Sequence, residues 1–183
     1  MGRNWFVGVV FLLAFSAFAA DKPIAKLTLE SPKLVEGQPI PVQFTEDSKN
    51  LSPPIQWKDL PKGTRQLALI CDDPDAPTAE PFVHWVIYNI PGDAKELPEG
   101  LPRDATLKAP KDLVGAMQGK NGWGQAGYHG PAPPKGKIHH YHFKLYALDT
   151  ALILNPGLEK KGLLKGIEGH VLAQGEIVVT YQR

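Results

Sequence analysis

An apolar run that breaks into an acidic, proline-rich hexapeptide and then resumes leaves a chain few ways to fold. From Leu67 to Ile90 the sequence reads LALICDDPDAPTAEPFVHWVIYNI. Asp72-Asp73-Pro74-Asp75-Ala76-Pro77 interrupts the run, and the second apolar half carries an unexpected His84. The pattern predicts strand, corner, strand, because proline presets φ and an Asp side chain bonds back to nearby backbone N–H groups. A corner by itself accounts for the acids. A second stretch, Gly127 to Leu148, gives them another prospect: a Gly/Pro-rich loop runs into a strand that begins His139-His140-Tyr141-His142. If the two stretches meet, carboxylates, imidazoles and a phenol converge at one end of a sheet.

Side chains alternate across a strand, so each imidazole can be assigned a face. His139 and Tyr141 fall with Phe143, Leu145 and Ala147 on the more apolar face, and His140 and His142 fall with Lys144 on the wetter one. The same count places His84 with Val86, Tyr88 and Ile90.

Residues 1–19 read as a secretory signal peptide, with Arg3 as the basic end, Trp5 to Phe15 as the apolar centre and Ala17-Phe18-Ala19 as the cleavage signature. The apolar run is short for a membrane span, so stable membrane insertion is not expected. Cleavage near Ala19 would leave residues 20–183 as a single domain, periplasmic or secreted. Without Arg3 the basic and acidic side chains balance. A neutral chain argues against nucleic acid as a partner. Cys71 is the only cysteine, so no internal disulfide can form and stability must come from the core. Its place at the end of an apolar run predicts a buried hydrophobe rather than a reactive thiol.

The rest of the chain reads as short strands between frequent turns. Ile24 to Leu29, Ile40 to Phe44, Ile55 to Trp57 and Glu176 to Tyr181 are strand candidates, and Leu163, Leu164, Ile167, Val171 and Leu172 recur at helical spacing. Strands this short predict a sandwich or barrel. Ala94 to Gly127 has little periodicity and many glycines, which fits either a functional loop or a surface flap. Asn50-Leu51-Ser52 matches a glycosylation sequon, weakened by Pro53.

Several chemistries are excluded or disfavoured by pattern. No G-x-S-x-G motif is present, and Gly130 to Lys137 is spaced wrongly for a P-loop and carries prolines where phosphate-binding N–H groups are needed. The histidines of the 139–142 run with Asp73 and Asp75 match no zinc spacing, and the Asp72 to Asp75 run lacks the glycine and terminal glutamate of a calcium loop. No metal or other cofactor is expected. What remains is a preformed pocket: His84 and His139 offer imidazole donors, Tyr141 a hydroxyl, and Asp73 a carboxylate that holds an imidazole tautomer or accepts from a ligand amine. The plain alternative is that both histidines are satisfied core residues and Asp73 caps a turn.

Asp73-Pro74-Asp75-Ala76-Pro77, His84-Trp85, Gly130-Pro131 with Pro133-Pro134, and His139-x-Tyr141-x-Phe143 occur in an order that resembles the phosphatidylethanolamine-binding protein family, and within it the exported bacterial Raf-kinase-inhibitor-like branch. The resemblance runs from about Leu27 to Val178. It implies an all-β Greek-key β-sandwich with a few short peripheral helices, which the short-strand pattern independently favours. It also implies a small anion-binding cavity at the surface, lined by Asp73, Asp75, His84, His139 and Tyr141 and rimmed by Ala76, Pro77, Gly130 and Pro131. The expected function is therefore an exported, non-enzymatic binder of a small anionic or phosphoryl ligand, such as a phospholipid head group, with regulation of a protein partner left open. The competing readings are an acid–base hydrolase of a small phosphoester and an interaction module built on the Gly-rich loop.

Overall fold

The computed structural model describes Met1 and residues 23–183. The expected signal peptide and its cleavage site lie outside the described residues. Among the described residues, nine strands and one α-helix follow in the order β1 (Ala25–Lys26), β2 (Thr28–Glu30), β3 (Ile55–Lys58), β4 (Gln66–Asp73), β5 (Phe82–Pro91), β6 (Glu96–Leu97), β7 (Met117–Gln118), β8 (His139–Leu148), α1 (Lys160–Ile167) and β9 (Val171–Tyr181). They form a six-stranded sheet ordered β1-β9-β8-β4-β5-β7 and a three-stranded sheet ordered β2-β3-β6. The larger sheet is mixed, because β1 runs parallel to β9 while its other pairs are antiparallel. No helix among the described residues is long and apolar enough to cross a membrane.

The near-continuous apolar run of β4 is explained by burial on both faces. Leu67, Leu69 and Cys71 join the main core, which also holds Leu29, Ile55, Trp57 and Leu97 of the smaller sheet. Ala68 and Ile70 join a second cluster with Leu163 and Ile167 of α1. A strand covered by a sheet on one side and a helix on the other has no face to give to water, so period-two alternation disappears. In β8, by contrast, buried and partly exposed residues alternate, as its sequence predicts.

Three expected elements differ. Ile24 to Leu29 is not one strand: it crosses from β1 in the larger sheet to β2 in the smaller, with Leu27 buried at the crossing. Ile40 to Phe44 pairs only briefly with β9 and then turns as a single 3-10 turn over Val42–Phe44, because Pro41 has no N–H to pair and its carbonyl accepts from Phe44 instead. The helix ends at Ile167, and Gly169 takes a positive φ of 77° before Val171 and Leu172 start β9. The peripheral helices thus reduce to α1 and two 3-10 turns, Val42–Phe44 and Lys111–Leu113.

Candidate functional site

The ends of β4, β5 and β8 deliver their side chains to one place. In β8 simple alternation carries His139 and Tyr141 inward. In β5 alternation fails, and the failure builds the site. Cys71 pairs with Trp85 but Asp72 pairs with Val83, so His84 is an extra residue in the ladder. Such a bulge turns the extra side chain to the same side as its neighbour. His84 therefore faces Tyr141, with ring centroids 5.1 Å apart, rather than joining Val86 and Tyr88 in the cluster under α1. A second register shift, near Asn89 with its φ of 54°, sends Ile90 to the main core, so the face expected for His84, Val86, Tyr88 and Ile90 is corrected at both ends.

Asp73 is buried and accepts twice. Its Oδ2 lies 2.7 Å from His139 Nδ1, and its Oδ1 takes the backbone N–H of Asp75 at 2.8 Å. Because a carboxylate oxygen accepts, His139 carries its proton on Nδ1. The same logic fixes the other imidazole: His84 Nδ1 donates to the carbonyl of His129 at 2.7 Å, and the His129 N–H returns to the His84 carbonyl. Burial pushes the His84 pKa down to about 4, outweighing the help of that carbonyl and of Asp73. The Tyr141 hydroxyl is buried without a partner in hydrogen-bonding geometry among the described residues, although the Asp73 carboxylate lies near enough to act on its proton. Burial first, and then the charge of Asp73, pushes its pKa up, so it remains a neutral hydroxyl.

These groups line a cavity of about 220 Å³. Phe82 and Trp123 complete its aromatic wall, with Trp123 edge-on to Phe82 at 4.7 Å and to His84 at 5.4 Å and stacked on His129 at 3.8 Å. Trp123 is held from behind. Asn121 Oδ1 accepts the N–H groups of Trp123 and Gln125, and Asn121 Nδ2 donates to Gly127, so part of the aperiodic Gly-rich stretch is a stapled loop. Larger hollows lie among the described residues, about 530 Å³ beside β1 and β9, about 490 Å³ beside α1 and about 390 Å³ between residues 49–52 and 101–103, but none gathers buried titratable groups as this one does.

Six of the nine residues singled out from sequence meet here: Asp73, Ala76, Pro77, His84, His139 and Tyr141. Three stand aside. Asp75 turns to His140, accepting from its backbone N–H and its Nδ1 at 2.8 and 2.7 Å. Gly130 presses on the backbone of Phe44 and Thr45, where a Cβ would come within 2.3 Å of the Phe44 carbonyl oxygen, and donates to Asn50 Oδ1. The Pro131 carbonyl accepts from Glu46. The rim on that side is formed by Ala132, Pro133 and Pro134 instead. Thr78, Phe82 and Ala132 were not anticipated, although Phe82, two residues before His84 and paired with Asp73, is the one a register argument would find. The sequon is not displayed: Asn50 is bonded to Gly130, and Ser52 is buried with its hydroxyl accepting from Leu101. His140 and His142 bind different acids, Asp75 and Glu176, rather than a common point.

The sequence pattern of the phosphatidylethanolamine-binding protein family matches residues 30–182. The chain belongs to that family. A UPF0098 protein of Methanothermobacter thermautotrophicus is 46% identical over 144 residues, covering 79% of this chain and 91% of its own length. Among solved structures, Escherichia coli YbcL, described as a member of the mammalian PEBP family, superposes with a TM-score of 0.79 at 32% identity over 87% of this chain and 99% of its own. A putative phosphatidylethanolamine-binding protein homolog from Chlamydia trachomatis gives a TM-score of 0.76 at 33% identity, over 86% and 98% of the two chains. Family membership carries the mostly β fold and a general expectation of small-ligand binding.

Proposed function

We propose that this protein is an exported binder of a small anionic or phosphoryl group, held in the cavity between Asp73, His84, His139 and Tyr141. The observation that carries the reading is the buried His139–Asp73 pair facing a Tyr141 hydroxyl that lacks a partner in hydrogen-bonding geometry. Protonated His139 would present Nε2–H to an anion while Asp73 stabilises the imidazolium, and Tyr141 would donate its hydroxyl. A cavity of about 220 Å³ suits a phosphoryl group and little more, so any lipid tail stays outside. The family's name supplies one candidate head group, phosphoethanolamine. We also read the order β8-β4-β5-β7 as the return of a Greek key, four strands in the spatial sequence last, first, second, third.

Binding rather than turnover is favoured because the cavity offers no activated nucleophile. Tyr141 holds its proton, and the Cys71 thiol is buried, with burial pushing its pKa well up. The test is calorimetric titration with phosphate, and with sulfate as the control whose own charge is constant, at about pH 7.5 and about pH 5.5. Sulfate affinity is expected to rise about tenfold on acidification and to vanish in His139→Ala. Equal affinity at both pH values, or binding intact in the variant, would remove histidine as the binding group. Hydrolysis of simple phosphoesters that is lost with His139 would favour the enzyme.

A further inference from the structure

Trp123 stands partly inside the cavity and partly in solvent: it lines the interior, yet 39% of its surface is exposed. A surface indole between two glycines has several rotamers open to it unless its surroundings choose one. Here the surroundings choose. The Gly122 N–H bonds the Val83 carbonyl at 2.7 Å, and Gly122 lies so near Phe82 that a Cβ would come within 2.4 Å of the ring. Asn121 then takes the N–H of Trp123 on Oδ1 at 3.0 Å and the N–H of Gly124 on its carbonyl at 2.8 Å. With its main chain pinned in this way, the indole is held among the rings of Phe82, His84 and His129.

His129 shows how firmly the arrangement is imposed. Both of its ring nitrogens are buried without a hydrogen-bond partner among the described residues, and Glu46 Oε1 stands 3.4 Å from Nε2 outside bonding geometry. An imidazole left unbonded in the interior is destabilising, and this one is tolerated where its face backs the indole at 3.8 Å. Its main chain is tied to the same wall, because the His129 carbonyl accepts from His84 Nδ1 and its N–H returns to the His84 carbonyl. The remaining surface lining includes Pro77, Pro133 and Pro134, whose rings fix φ and leave that rim stiff as well. A locked indole and a proline rim make an opening of fixed width.

The cavity measures about 220 Å³, below the roughly 300–1,000 Å³ of ordinary small-molecule sites, and Trp123 is the largest side chain in its lining. Resting on the reading that a phosphoryl group sits here, we propose that Trp123 is a specificity-determining residue that sets the width of the substituent carried by that group. An unbranched alkyl substituent leaves past the indole. A ring does not, because admitting one requires breaking the stack on His129 or driving Gly122 against Phe82, and a well-packed wall resists such overpacking.

Calorimetric titration of the folded protein with methyl phosphate, phenyl phosphate and inorganic phosphate at about pH 5.5 tests this, with the ratio of the two ester affinities as the readout. The native protein is expected to favour methyl over phenyl phosphate by at least about tenfold. Trp123→Ala should tighten phenyl phosphate by at least about tenfold, a gain that a misfolded variant cannot produce, and Trp123→Phe should keep most of the native preference. Equal affinity of the two esters for the native protein overturns the inference, as does tighter binding of phenyl phosphate through stacking on the indole. An unchanged ratio in Trp123→Ala overturns it too. In each of these cases an ester still binds and the phosphoryl reading stands. Binding of inorganic phosphate without either ester likewise overturns the inference alone, whereas binding of none of the three overturns both.

Discussion

His84 is a buried imidazole kept neutral by its surroundings, and that has a sign. Its pKa falls from the ordinary 6.5 to about 4 on folding, so the unfolded chain binds the proton more tightly. The stabilisation is complete above about pH 6.5, declines as pH falls below it, and is gone once the pH passes the folded value, a swing of up to about 3 kcal/mol. Urea midpoints measured from about pH 7 to about pH 4 should fall more steeply in the native protein than in His84→Gln; parallel profiles would contradict the assignment. The three imidazole-bearing positions also show what could be read in advance. His139 and His140 took opposite faces as period two requires, because β8 is regular over its length. His84 did not, because the bulge that reorients it depends on pairing with a strand eleven or more residues away and leaves no mark on local alternation.

At the scale of elements, Lys160 ties α1 to the acidic end of β4. It is the main charge partner of Asp72, whose side chain is only 2% exposed, and Lys144 is more distant. Lys160→Ala should cost about 2 kcal/mol or more, since removing one partner strands a buried charge, whereas Lys161→Ala at an exposed position of the same helix should stay within about 0.5 kcal/mol. Hydrogen exchange in α1 should quicken in the first variant; equal effects of the two substitutions would refute the tether. The central strands and the short β3 were legible because their composition and turns agree, and the two-residue strands β1, β6 and β7 were not resolved by the same argument. Pro39-Ile40-Pro41 looks extended to a propensity argument, yet Pro41 cannot sustain a ladder and the chain turns there. The helix was overextended for the opposite reason: Val171 and Leu172 keep helical spacing but belong to β9, and only Gly169 marks the change.

At the scale of the whole molecule, the cavity exists because β4 and β5 and the distant β8 lie side by side and bring their ends together at one end of the larger sheet. The separated motifs from Asp73 to Phe143 were enough to place the chain in its family, and six of the nine residues singled out from sequence line one cavity. The rim was harder to read. Gly130 and Pro131 lie next to the residues that form it, and which members of the Gly130 to Pro134 run face the cavity depends on Gly130 being pinned against Phe44 and Thr45 from another part of the chain. Long-range packing of this kind is invisible to spacing. Everything functional rests on the buried imidazoles meeting a ligand, and nitrogen-15 NMR of the histidine rings during phosphate titration at about pH 5.5 examines this directly. His139 Nε2 should shift with the same saturation curve that calorimetry gives, while the partly or fully exposed His140, His142 and His170 stay still. Shifts confined to those three, with His139 and His84 unmoved at saturation, would contradict it.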